Sequence, residues 1–301
     1  MLRHCRILQL IVALALAPST LAAQHLPRAI FTDPPHDTLH PARMVVLHIP
    51  SGGVLINGVA YVASGPGPHP TFVLLHGLPG NEKNLDLAQA VRRAGWNAIT
   101  FNYRGSWGSP GSFRFAQTLE DADAALEYLR DSATARELGV DTSRMVLAGH
   151  SMGGWVAALT AAHDHRLRGA ILISAVNITD AVRTRPGRAR SDTGRAAAIR
   201  FMRDNMESLA DVTPEEMVDE ITANMSAFDW QRAVPGLVRM PLLVLTADDH
   251  LAPGATAFAD SIRAHGNGHV VVTHVATDHS WSDRRIELEA EVIRWLHHLR
   301  R

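Results

Sequence analysis

The stretch LAGHSMGGWVAAL, residues 147–159, decides how the rest of the chain is read. Gly149-His150-Ser151-Met152-Gly153 fits the pattern G-x-S-x-G, which alone is a weak signal. Its surroundings sharpen it. RMVLAG (144–149) reads as a buried strand, and residues 152–164 read as a helix of small and apolar residues. A serine on the sharp turn between such elements sits on strained backbone, and the flanking glycines let helix and strand pack closely. The other serine–glycine cluster, GSWGSPGS (105–112), lacks both the frame and the spacing. Ser151 is therefore expected to be a nucleophile rather than a polar turn residue.

Outward from this point, apolar runs alternate with helical patterns. TFVLLH (71–76), WNAITFNY (96–103), LRGAILISAV (167–176), PLLVLTA (241–247) and HVVVTHV (269–275) have the continuous apolar texture of strands buried on both faces. Residues 84–94, 115–131, 255–265 and 283–300 have helical spacing. This alternation predicts an α/β fold, a mostly parallel sheet with helices on both faces. MVVLHI (44–49) and GVLINGVAYVA (53–63), separated by Ser-Gly-Gly, add two strands suited to an antiparallel edge. One long insert, about 177–240, interrupts the pattern. It carries Arg183, Arg185, Arg188, Arg190, Arg195, Arg200 and Arg203, then acids from Asp204 to Glu220. TPEE (213–216) is a helix start, with Thr213 as cap, Pro214 in the first turn and Glu216 reaching back. The insert is expected to be helical in its second half and to form a cap over the carboxyl edge of the sheet, where such folds bind ligands.

Composition bounds the function. Of 301 residues, 46% are hydrophobic and 20% charged, as in globular proteins, and the net charge of −1 gives no reason to expect a polyanion partner. The arginines of the insert are followed by matching acids, which argues against nucleic acid as their target. At the start, Arg3, His4 and Arg6 precede an apolar run from Ile7 to Ala17 and the small residues of PSTLAA. Residues 1–23 read as a secretory signal, too short to span a bilayer comfortably, so the chain is expected to be exported to the periplasm or beyond, with no stable membrane insertion after cleavage. Residues 24–42, with four prolines, read as an extended arm ahead of a catalytic domain over 43–301. The only cysteine, Cys5, lies in the signal, which leaves the mature chain without a disulfide, a thiolate nucleophile or a cysteine metal site.

With its strand–turn–helix around Ser151, the chain over roughly 45–300 resembles the α/β-hydrolase superfamily, and an eight-stranded-type sheet is implied. The resemblance implies an acid and then a histidine after the nucleophile. TADDHLAP (246–253) offers Asp248 and Asp249. Asp249 stands four residues before Pro253, as family members often have it, and is preferred; Asp248 remains the alternative. HVATDHSWSD (274–283) offers His274, inside the apolar strand, and His279, in the loop before the last helix. His279 has the family's place. His163 and His165 flank Asp164, but a solvated helix end accounts for them better than a metal. For the oxyanion, the resemblance implies the backbone amide of Met152 and one from HGLPG (76–80), with Leu78 preferred over Gly77 and His76 fixing the loop.

The chemistry implied is cleavage of a small-molecule ester or related acyl bond through an acyl-enzyme, which requires no cofactor. No metal motif, dinucleotide glycine fingerprint or phosphate loop occurs in the sequence. Two alternatives differ in what they demand. A serine peptidase or aminopeptidase of the same fold would need carboxylates near the pocket, for which Glu207, Asp211, Glu215, Glu216, Asp219 and Glu220 are available. A noncatalytic binding protein on the same scaffold would have no use for an intact serine, acid and histidine.

Overall fold

In the computed structural model, residues 26–183 and 192–299 are described. The signal reading of 1–23, the start of the arm, and Arg185, Arg188 and Arg190 of the insert lie outside them. Eight strands form a single sheet: β1 (Arg43–Ser51), β2 (Val54–Val62), β3 (His69–Leu75), β4 (Asn97–Phe101), β5 (Val140–His150), β6 (Gly169–Ile173), β7 (Leu242–Thr246) and β8 (Val270–His274). Their order across the sheet is β1-β2-β4-β3-β5-β6-β7-β8. The β1–β2 hairpin and its pairing to β4 are antiparallel; every other pair is parallel. The β1–β2 edge shows alternating burial, whereas β3, β6 and β7 are buried throughout, as their continuous apolar runs require.

Ten helices accompany the sheet among the described residues: α1 (Leu85–Arg93), α2 (Phe115–Arg130), α3 (Ser132–Leu138), α4 (Met152–His163), α5 (Asp192–Arg203), α6 (Pro214–Ala223), α7 (Met225–Phe228), α8 (Val234–Leu237), α9 (Ala252–Ala264) and α10 (Arg285–Leu299). Two apolar cores result. One joins α2, α4, α9 and the insert to a sheet face; the other packs α1 and α10 on the opposite face. The central helix α4 is buried almost all round, which fits its run of Gly, Ala, Val and Trp.

Three details depart from the sequence-based expectations. Helix α3 lay in a stretch with no predicted element, although Asp131 caps it by accepting from the amides of Ala133 and Thr134 and Gly139 closes it at φ 63°. The insert is helical in its arginine-rich first half as well as its second: α5 buries Ala198 and Met202, one turn apart, and turns Arg195, Arg200 and Arg203 outward. The proline-rich arm makes a short 3₁₀ turn at Arg28–Ile30, and Arg93 of α1 donates to the carbonyls of Ala29 and Ile30.

Candidate active site

Strand β5 ends immediately before Ser151. The serine has φ 57° and ψ −121°, a left-handed conformation costly for a residue with a Cβ, and lies between the last residue of β5 and the first of α4. Its amide donates to the carbonyl of Ile173 (2.9 Å), and its own carbonyl accepts from Gly154 (3.0 Å), so strand, turn and helix are joined at this residue. The two motif glycines exist for close approach. A Cβ on Gly149 would stand 2.0 Å from the carbonyl oxygen of Gly153, and one on Gly153 would stand 2.4 Å from that of Leu75. The Ser151 hydroxyl makes no capping bond to its own helix.

The structure brings Asp249 and His279 together. Asp249, in the loop after β7, accepts from Nδ1 of His279, in the loop after β8, at 2.8 Å. Its other oxygen accepts from the amides of Leu251 (3.1 Å) and Ala252 (3.0 Å). The carboxylate is 7% exposed. Burial alone would raise its pKa, but the hydrogen bond and charge of His279 and the two amides outweigh it and hold the carboxyl below its usual range. With Nδ1–H committed to Asp249, His279 presents Nε2 as an acceptor. Asp248 forms a second pair with His274 at 3.0 Å, and His274 also meets the Thr246 hydroxyl at 3.0 Å. That pair is open to water, with side chains 63% and 51% exposed. His274 thus stands at the exposed end of β8. His163 is taken by Asp123 at 2.9 Å and Asp164 by Arg130, and no cluster able to hold a metal occurs among the described residues.

Two residues not singled out from the sequence fix the histidine loop. His150, the x of the motif, donates from Nε2 to the carbonyl of His279 (2.9 Å), with the two rings 4.8 Å apart. Burial, with His279 beside it, pushes the pKa of His150 down to about 4, so it is neutral and can serve as that donor. Trp281, fully buried at φ 60°, donates from its indole to the Ser174 hydroxyl at 3.0 Å. The amide of Asp248 donates to the carbonyl of Thr277, which ties the acid loop to the histidine loop.

HGLPG lies against the serine: a Cβ on Gly77 would be 2.8 Å from the Ser151 Cβ. The ring of His76 is buried on Tyr103, with centroids 4.7 Å apart, and burial lowers its pKa to about 4. Its Nδ1 lies 2.8 Å from the Gly77 carbonyl oxygen, which can only accept, so the neutral ring carries its proton on Nδ1. In a trans peptide C=O and N–H point opposite ways, so holding the Gly77 carbonyl also directs the Leu78 amide.

The insert packs on the loops at the carboxyl ends of β3 and β4. Trp107 donates its amide to Ser208, Ala210 donates to Gly105, and Phe113 donates to Ala210. Most of its described acids are engaged elsewhere. Glu207 accepts from Asn81, Glu215 pairs with Arg203, Asp219 pairs with Arg195, and Glu216 closes the capping box with Thr213. Glu220 accepts from the amides of Phe115 (2.9 Å) and Ala116 (2.8 Å) and so caps α2. Asp211 contributes its carbonyl to Arg114.

Comparisons with known proteins agree with this architecture. Over 117 residues, 37% of this chain, it is 35% identical to the quorum-quenching protein AidA of Acinetobacter baumannii, and over 165 residues 27% identical to an uncharacterized protein of Mycobacterium tuberculosis. These matches span only 36% and 57% of the relatives' own lengths. A thermostable carboxylesterase cloned from a metagenomic library has a similar fold, with a TM-score of 0.59 at 22% identity, covering 85% of this chain and 90% of that one. A model of the alpha/beta hydrolase family matches residues 72–291. The chain belongs to the alpha/beta hydrolase family.

Proposed function

We propose that this protein is a serine hydrolase that cleaves a carboxylic ester, or a related acyl bond, of a small molecule outside the cytoplasm. The observation that carries the reading is the Asp249–His279 pair at 2.8 Å, on the loops that follow β7 and β8, with the His279 ring 4.8 Å from that of His150, the residue before a serine in strained backbone. In the mechanism that follows, Nε2 of His279 takes the Ser151 proton while Oγ attacks the substrate carbonyl. The amides of Met152 and Leu78 hold the oxyanion. The bond to the alkoxide leaving group then breaks as His279 returns the proton to it, leaving an acyl-Ser151. Water, deprotonated by the same nitrogen, attacks the acyl carbon and releases the acid, and Ser151 recovers its proton. Asp249 keeps its charge throughout and stabilises the imidazolium.

The engagement of five of the six candidate carboxylates, Glu207, Glu215, Glu216, Asp219 and Glu220, with arginines, an asparagine and helix ends favours an ester over an aminoacyl substrate. A free amine would need an unengaged carboxylate near the serine. The test is a paired assay on short p-nitrophenyl esters, lactones and aminoacyl amides, with fluorophosphonate labelling. Ester turnover and label on Ser151, both lost in Ser151→Ala with the fold intact, are the expected result. Full activity in Ser151→Ala, or turnover of aminoacyl amides alone, would overturn the reading.

A further inference from the structure

Leu78 sits between two anchored peptides. On one side, His76 donates to the Gly77 carbonyl at 2.8 Å. On the other, the carbonyl of Pro79 accepts two hydrogen bonds from different parts of the chain: Nε1–H of Trp107 at 2.6 Å, from the loop after β4, and the hydroxyl of Ser208 at 3.1 Å, from the insert. Trp107 and Ser208 are themselves joined, since the Trp107 amide donates to the Ser208 carbonyl at 2.9 Å. Asn81, two residues further along the same loop, donates to Glu207 at 3.1 Å. The insert and the β4 loop therefore grip the far end of the segment that carries Leu78.

We infer that Trp107 and Ser208 are positioning residues that set the Leu78 amide toward the reacting oxyanion, so that the geometry of the oxyanion site depends on the docked insert. This rests on the reading of Leu78 as an oxyanion donor. The physical case is one of leverage. With the near peptide held by His76 alone, rotation at Leu78 and Pro79 would swing its N–H away from the oxyanion. Carbonyl oxygens have two lone pairs, and those of Pro79 are filled from two directions, which fixes the second peptide in both tilt and azimuth. A preorganised donor contributes through its direction, and small misplacements of reacting groups are costly in rate. The insert would thus shape the catalytic step besides covering the site.

The test uses the full mature enzyme and four variants: Trp107→Phe, Ser208→Ala, Ser208→Thr and the double Trp107→Phe/Ser208→Ala. Phenylalanine leaves an aromatic face for Lys83, which lies 4.3 Å from the Trp107 ring centroid, but removes part of the indole along with its N–H, so the Ser208 variants supply the more conservative comparison. For each variant, kcat and KM are measured on a p-nitrophenyl ester, together with inhibition by a trifluoromethyl ketone that forms a tetrahedral adduct. Each single loss is expected to lower kcat about tenfold and the double roughly 20–50-fold, with KM within about twofold. The losses combine less than multiplicatively, because both donors serve one acceptor. Inhibitor affinity falls in step with kcat, and Ser208→Thr, which keeps the hydroxyl, returns kcat to near the parent value. Unchanged kcat in the double variant, or losses confined to KM, overturn the inference. So does a kcat loss that follows thermal stability and is not recovered by threonine. Should Trp107→Phe fail to fold, the Ser208 pair decides the outcome by itself. Ser151→Ala separates the two levels: if it stays active, the site reading fails; if it is inactive while the clamp variants match the parent, only this inference fails.

Discussion

Replacing Asp249 by asparagine tests the site at its most constrained bond. One carboxylate oxygen accepts from the amides of Leu251 and Ala252, so the asparagine carbonyl keeps that place and its NH₂ turns toward His279. A donor now faces Nδ1, which must become an acceptor. The imidazole proton moves to Nε2, the nitrogen that receives the Ser151 proton in the proposed mechanism. The fold is preserved but the tautomer is wrong, and the imidazolium formed in the transition state loses its counter-charge. In triads of this kind the change costs about 10³–10⁴-fold in kcat, about 4–5.5 kcal/mol of transition-state stabilisation. Steady-state kinetics on a p-nitrophenyl ester supply the measurement, with circular dichroism to confirm folding. Asp248→Asn is the control. Its partner His274 and its own side chain are both largely in water, where such a pair contributes about 0–1 kcal/mol, and activity is expected within about twofold of the parent. An Asp249→Asn enzyme within tenfold of the parent, or a severe loss in Asp248→Asn instead, would refute the assignment of the acid.

Two further predictions concern stability. Ser151→Gly should be inactive yet more stable than Ser151→Ala by about 0.5–2 kcal/mol, because glycine relieves the φ 57° strain while giving some of it back as unfolded-state entropy; urea melts of the two variants check this, and an alanine variant of equal or greater stability contradicts it. Glu289, buried on α10, has its pKa raised to about 7 by burial and by the nearby Asp86, against the opposing charges of Arg93 and Arg285. The folded state holds this proton more tightly than the unfolded chain does, so the contribution of Glu289 to stability falls as pH rises from about 4.5 to 7 and is level above that. Glu289→Gln should remove this slope and stabilise the protein above pH 7 by on the order of 1–3 kcal/mol, read from melts at pH 5 and pH 8; an equal change at both pH values would show that ionisation is not involved.

Much of the fold was legible because it is written locally. A strand buried on both faces needs a continuous apolar run, and β3, β6 and β7 have one. The capping box at Thr213 and Glu216 was readable for the same reason, since both partners lie within one turn. What stayed hidden depends on segments far apart in the chain. His150 looked like the variable position of a motif; its bond to the His279 carbonyl spans 129 residues. Trp281 and Ser174 are 107 residues apart, and Glu220 caps α2 across 105. No spacing rule reports such pairs. The charge pattern of the insert was visible, but its meaning was not. The acid block offers carboxylates for an amine site, whereas the described members of both blocks mostly pair with one another or close helix ends.

The choice between Asp248 and Asp249 shows where sequence stops and geometry takes over. Two adjacent aspartates are chemically identical, and only the distance to Pro253 separated them. In the fold the amide of Asp248 is held by the carbonyl of Thr277, and its side chain turns outward to His274 at the end of β8. The next residue turns the other way, into the pocket between the two loops, where two amides of the start of α9 and its approach wait for a carboxylate. Both aspartates lie in the bend after β7, and their partners separate them: Asp248 meets the exposed His274, while Asp249 meets His279. Pro253 enters this logic through the helix: it occupies the first turn of α9, which sets where the free amides of Leu251 and Ala252 lie and hence which aspartate can reach them. The spacing to proline carried information because it encodes the position of those two donors.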